Sequence, residues 1–104
     1  MNQELSVYKN IIDGVLELKL AGFVTAANAG KILEAANGEE SLFQNVTIDA
    51  GELAYISSAG LRQLVQLITI AESRNGQVVM RNVREDIREI LDMTGLSGDM
   101  VIEP

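Results

Sequence analysis

Ser57 and Ser58 are the side chains whose type and setting could carry chemistry: they follow the pair Tyr55-Ile56 and lead through Ala59-Gly60-Leu61-Arg62 into a stretch of helical periodicity. A serine hydroxyl attacks a substrate only when a general base takes its proton. The chain contains no histidine and no cysteine, which removes the base of a Ser-His-Asp triad and the commonest ligands of zinc. No Gly-x-Ser-x-Gly elbow surrounds the two serines, so a hydrolase built on them is the weakest functional class. No metal and no cofactor are expected, and the chain should not be an enzyme. On residue type alone the pair serves as helix N-caps, because a serine oxygen readily accepts a free N–H of a first turn.

Asp49 is the other side chain of interest, an acid closing a short apolar run in a small α/β pattern. A phosphate-accepting receiver domain would place an aspartate there. That chemistry also needs an acidic pair after the first strand and a lysine late in the chain, whereas lysine stands only at Lys9, Lys19 and Lys31. Asp49 is expected instead to fix the following loop or to meet a partner.

The elements that must position these residues follow from periodicity. Leu5 and Val7 begin a strand, and Asp13-Gly14 supplies the positive backbone angles of a tight hairpin. Leu16, Leu18 and Leu20 alternate with Glu17 and Lys19, the period of a strand with one buried face, and Gly22 is expected to end it. Ala26, Ala29, Ile32, Leu33 and Ala36 repeat at helical spacing behind a Thr25 N-cap, with Asn37-Gly38 as the stop. Val46-Thr47-Ile48 predicts a central strand closed by Asp49 and followed by a loop from Gly51 to Ile56. A second helix is predicted over 57–74, with Leu61, Leu64, Val65, Leu67, Ile68 and Ala71 on its buried stripe and Ile70 off it. After Gly76 come a strand at Val78-Val79-Met80 and a helix from Arg84 with Ile87, Ile90, Leu91 and Thr94 inward. A Gly95 cap and a short strand at Met100-Val101-Ile102 complete the order β-β-α-β-α-β-α-β. Such alternation implies an α/β fold, a mixed, mostly parallel β-sheet with an N-terminal hairpin and amphipathic helices packed on it.

With 104 residues and 47% apolar composition the chain can close one continuous core, so one domain over 1–104 is expected. Charges such as Glu17, Lys19, Arg62 and Glu72 interrupt every apolar stretch short of the roughly 20 residues that span a bilayer, so no membrane insertion is expected. The opening Met-Asn-Gln-Glu has neither the basic end nor the apolar run of a secretory signal, which predicts a cytoplasmic protein. Fifteen acidic against eight basic side chains leave a net charge of −7. That charge repels phosphate backbones and argues against nucleic acid as a partner.

Asp49 through Arg62, a strand, a short loop and the Ser57-Ser58-Ala59-Gly60-Leu61-Arg62 helix start, resembles the STAS domain family of bacterial anti-sigma factor antagonists. In that family a central strand leads to an apolar or aromatic pair, here Tyr55-Ile56, and then to Ser-x-Gly-Leu, here Ser58-Ala59-Gly60-Leu61. The Asp13-Gly14 turn, Leu20-Ala21-Gly22, Asn75-Gly76 and Leu91-Asp92-Met93-Thr94-Gly95-Leu96 also fall where relatives carry similar residues, so the resemblance covers nearly the whole chain. It implies the STAS fold, and it implies that Ser58 matches the serine phosphorylated by a partner kinase that is itself an anti-sigma factor. The unphosphorylated domain would bind that kinase and free a sigma factor for transcription. Phosphorylation would end the binding, and a phosphatase would restore it. Thr25, Tyr55, Ile56, Ser57, Ser58, Ala59, Gly60 and Arg62 are the residues that the resemblance brings to the partner surface. Gly60 would do so by allowing close approach, unless it is a packing glycine.

This chain departs from the family pattern at three places. Ser57 stands where many relatives carry aspartate, and Thr25 stands where many carry an acid at the start of the first helix. The sequence stops at Pro104, where many relatives continue into a further helix, which leaves Ile70 and Met100 as candidates for exposed apolar contact, with local core packing as the alternative. A STAS adaptor without the sigma cycle, bound to a transporter ATPase or held in a stress-sensing complex, is the alternative function.

Overall fold

The computed structural model describes residues 4–104, so the first three residues of the segment considered above for a secretory signal lie outside the described residues. Strands β1 (Leu5–Ile12) and β2 (Val15–Val24) form the opening hairpin, paired antiparallel from Leu5 opposite Gly22 to Ile12 opposite Val15. Its turn takes φ 51° at Asp13 and 78° at Gly14, two successive positive angles of the kind that match the twist of flanking strands. β2 then pairs in parallel with β3 (Asn45–Ile56), β3 with β4 (Val78–Arg81) and β4 with β5 (Val101–Ile102). The sheet order is β1-β2-β3-β4-β5, the mixed and mostly parallel sheet that was expected.

Helices α1 (Gly30–Glu34), α2 (Ser58–Ser73) and α3 (Glu85–Met93) make the three crossovers. Because β2 to β5 are laid down in one direction, right-handed crossovers put all three helices on the same face of the sheet. Burial follows that rule. Leu16, Leu18, Leu20, Val46, Ile48, Val78 and Met80 are buried and join Ile32, Leu64, Leu67, Ile68, Ile87 and Leu91 in one core cluster. The alternating positions Glu17, Lys19, Thr47, Asp49 and Arg81 are exposed or half-buried on the open face. Each buried leucine or isoleucine of this set stabilises the fold by roughly 1.5–3 kcal/mol relative to exposure.

Four expectations are corrected. Gly22 does not end β2: it takes φ 104° inside the strand, at a register shift against β3, and a side chain there would run into the Glu4 carbonyl. β3 does not close at Asp49, because the supposed loop from Gly51 to Ile56 stays in the sheet, with Gly22 opposite Leu53, Phe23 opposite Tyr55 and Val24 opposite Ile56. A long partner strand offers those backbone groups a ladder that a loop would lack.

The first helix is the third correction, since only Gly30–Glu34 is α-helical and Thr25 is not its N-cap. The Thr25 carbonyl accepts the N–H groups of Asn28 and Ala29, and tight bonds spanning three residues continue from Lys31 to Asn28 and from Ile32 to Ala29. Gly30 disfavours a regular helix, and Asn28 offers the backbone a competing partner. Ala29, Ile32 and Ala36 still reach the core, whereas Ala26 is exposed. Fourth, the apolar stripes are narrower than their periodicity. Val65 is 44% exposed on the outer flank of α2, and Thr94 is exposed, its hydroxyl donating back to the Ile90 carbonyl at 2.9 Å. Ile70 packs partly buried against the core and Met100 is buried, so local packing accounts for both.

Candidate functional site

The carboxyl ends of β2 and β3 lie side by side, Val24 opposite Ile56. The chain leaves both strands there, β2 into the Thr25 turn and β3 through Ser57 straight into α2. The carboxyl edge of parallel strands is where crossovers leave side chains free to meet another molecule. The Ser57 N–H donates to the Val24 carbonyl at 2.9 Å, which fastens the helix mouth to the end of β2.

Ser57 and Ser58 divide this mouth between them. Ser57 is the N-cap, with extended backbone (φ −84°, ψ 170°) and its Oγ accepting the Gly60 N–H at 3.2 Å. Its carbonyl accepts the Leu61 N–H at 3.0 Å, the first bond of the helix. Ser58 is the first helical residue, exposed, and its hydroxyl makes no hydrogen bond among the described residues. Its surroundings suit an anion: first-turn N–H groups have no acceptor within the helix, and the helix dipole is positive at this end.

Of the other residues expected at the surface, Tyr55 is 47% exposed, Arg62 is exposed, and Thr25 and Ala59 are half-buried. Ile56 and Gly60 are buried. A Cβ added at Gly60 would lie 2.6 Å from Cγ1 of both Ile56 and Val24. The space that this glycine leaves is therefore taken by the domain's own core and not by an approaching partner, and Ile56 supports the helix from beneath.

Asn28 is the residue that the sequence reading missed. Its Oδ1 accepts the Thr25 N–H at 2.8 Å and its Nδ2 donates to the Phe23 carbonyl at 2.9 Å, so it holds the turn at the end of β2. An asparagine three residues beyond a threonine is a spacing at which such side-chain turns form, and it was the available signal.

Asp49 sits inside β3 on the open face of the sheet, opposite Lys19 and Arg81, and not at the strand's end. Its Oδ1 accepts the Asn82 side-chain amide at 3.1 Å and the Gly51 N–H at 2.9 Å. These bonds, the Asn82 amide foremost and the Gly51 N–H next, hold its carboxyl below the usual aspartate range, with the charge of Lys19 adding to the effect. The carboxylate thus ties β3 to the chain leaving β4, and does not fix a loop after Asp49 as expected, because β3 continues past it. Lys19 is in turn raised above the ordinary lysine value, chiefly by its hydrogen bond to Glu52.

A family model described as STAS domain matches residues 6–104. A Bordetella bronchiseptica protein named as anti-sigma factor antagonist BtrV is 34% identical over 85 residues, spanning 81% of this chain and 73% of the relative. Among solved structures, a Thermotoga maritima protein described as an anti-sigma factor antagonist superposes with a TM-score of 0.81 at 18% identity, covering 94% of this chain and 86% of the other. The Bacillus cell fate determinant SpoIIAA in its phosphorylated form gives 0.74 at 13% identity, covering 95% and 90%. At those identities the superpositions speak for the fold.

Proposed function

The chain belongs to the STAS domain family, and from that premise we propose that it is an anti-sigma factor antagonist switched by phosphorylation of Ser58. The observation that carries the reading is the division of labour at the helix mouth: Ser57 takes the cap, and the Ser58 hydroxyl is exposed with no hydrogen bond among the described residues. The name of the relative BtrV supports the same reading. In the unphosphorylated state the domain binds an anti-sigma factor in the cytoplasm through the rim formed by Thr25, Tyr55, Ser57, Ser58, Ala59 and Arg62. The sigma factor is thereby freed for transcription.

A phosphoryl group adds about −1.5 to −2 charges and three acceptor oxygens to a chain already at −7. The helix mouth accommodates that charge, so the fold persists while the docking surface changes sign locally. With no histidine in the chain, the base, ATP and magnesium come from the kinase, and this domain is its substrate. A phosphatase resets the switch.

The experiment is recovery of the binding partner from the source cell, followed by labelling with radioactive ATP. Label is expected on the wild-type chain and on Ser57→Ala, and none on Ser58→Ala. Undiminished label on Ser58→Ala would move the site elsewhere. A protein that never carries phosphate in its own cell and recovers no kinase would instead fit a STAS adaptor.

A further inference from the structure

Arg62 stands apart from the rest of the eight basic side chains. Lys9 pairs with Glu39, Lys19 with Glu52, Arg81 with Glu103, Arg84 with Asp86 and Arg88 with Asp92. Lys31 and Arg74 donate to the carbonyls of Leu5 and Phe43. Arg62 alone has neither an ion pair nor a hydrogen bond among the described residues, in a chain with fifteen acidic side chains to choose from. Its place on α2 gives that isolation a meaning. Arg62 lies four residues after Ser58, and both are exposed. Residues so spaced face each other across one helical turn, with Cβ atoms about 5–6 Å apart, and the favourable order puts the negative group first.

We propose that Arg62 is the internal counter-ion of the phosphoryl group on Ser58. A guanidinium at this spacing reaches two phosphoryl oxygens at once, the geometry in which arginine binds phosphate most strongly. Modification then changes the rim twice over: negative charge arrives at position 58, and the positive charge at position 62 is withdrawn from whatever partner it met. The inference rests on the reading of Ser58 as the modified residue, and it makes Arg62 a positioning residue for the phosphate.

The test installs phosphoserine at position 58 during synthesis, by reading through a stop codon, so that no kinase is needed. The second ionisation of the phosphate is then followed by phosphorus NMR in the chain with Arg62 and in the Arg62→Lys and Arg62→Gln variants. The expected result is a midpoint about 0.5 pH unit lower with Arg62 than with Arg62→Gln, with Arg62→Lys between them, because a nearby cation favours the doubly charged form. The difference should shrink at about 1 M salt, where screening acts over about 3 Å. Superimposable titrations for Arg62 and Arg62→Gln would overturn the inference and leave Ser58 as the switch untouched. Failure of Ser58→Ala to abolish labelling by the recovered kinase would overturn the reading beneath it, whatever the titrations show.

Discussion

The backbone N–H of Ser57 donates to the Val24 carbonyl at 2.9 Å, and through this bond the cap of α2 is fastened to the last residue of β2. Beneath it, Gly60 packs on Val24 and Ile56. The first turn of α2 is thus held from the side and from below, while the Ser58 side chain stands clear of both supports. Charge placed on a mount of this kind alters what docks on it without moving the mount, and the following expectations depend on that arrangement.

Ser57→Ala should cost about 1 kcal/mol, the usual loss when an N-capping oxygen is removed. In a domain of this size that lowers the melting temperature by about 4–8 °C. Ser57→Asp should restore most of it, since aspartate caps equally well. Thermal unfolding of the three proteins checks the point, and an unchanged melting temperature for the alanine variant would mean that the cap contributes nothing.

Gly60→Ala sets two effects against each other. Helix propensity favours alanine by about 1 kcal/mol. Crowding the new Cβ against the branched side chains of Val24 and Ile56 costs about 1–3 kcal/mol, so a net destabilisation of about 1 kcal/mol is expected. In a double-mutant cycle Val24→Ala should cost less beside Gly60→Ala than alone, because it opens room for the methyl group. Additive effects in denaturant unfolding would contradict the packing role.

Asp49 should make the domain acid-sensitive. Its carboxyl is held below the ordinary value by the Asn82 amide and the Gly51 N–H, so the folded state binds the proton less readily than the unfolded chain. The stabilisation is complete above the unfolded value of about 3.9 and is lost as pH falls from there through the lower folded value. Asp49→Asn, which keeps an acceptor oxygen without the titration, should flatten the stability profile below about pH 4. Chemical unfolding across that range is the measurement, and parallel profiles for the two proteins would exclude the effect.

Ser58→Asp should separate stability from recognition. A carboxylate in the first turn is favoured by the helix dipole by about 0.3–1 kcal/mol, so the variant should melt no lower than the wild type. Binding to the recovered anti-sigma factor should nonetheless weaken about tenfold, or about 1.4 kcal/mol, while Ser58→Ala binds as the wild type does. Titration calorimetry alongside thermal melts distinguishes the two properties. Equal affinity of the aspartate variant would show that charge at this position does not govern docking.

Local chemistry was legible wherever one residue's own conformational preference decided the outcome. Asp13-Gly14 adopts the positive angles of its turn, and Gly95, at φ 81°, follows α3 as the cap that its position promised. The alternation of Leu16, Leu18 and Leu20 ends in three buried side chains. Periodicity carried the element order, and the STAS resemblance singled out the helix mouth.

Other features depend on contacts between segments far apart in sequence, which local preference does not register. The run from Gly51 to Ile56 is a strand because β2 runs beside it, and the segment from Thr25 is mostly turns because Asn28 bonds back to Phe23 and Thr25. Periodicity shows that a face is apolar but not how wide a strip its neighbour covers, which is why Val65 stays in solvent.

By itself, then, the sequence determined the Asp13-Gly14 turn, the alternation of β2, the apolar sides of α2 and α3 and the pair of hydroxyls at the start of α2. The tertiary structure alone decided which hydroxyl caps and which is displayed, that Gly60 makes room for Val24 and Ile56, and that Arg62 has no partner among the described residues. Periodicity and capping are short-range preferences of neighbouring residues. Accessibility and pairing arise only when the strands and helices are packed together in space.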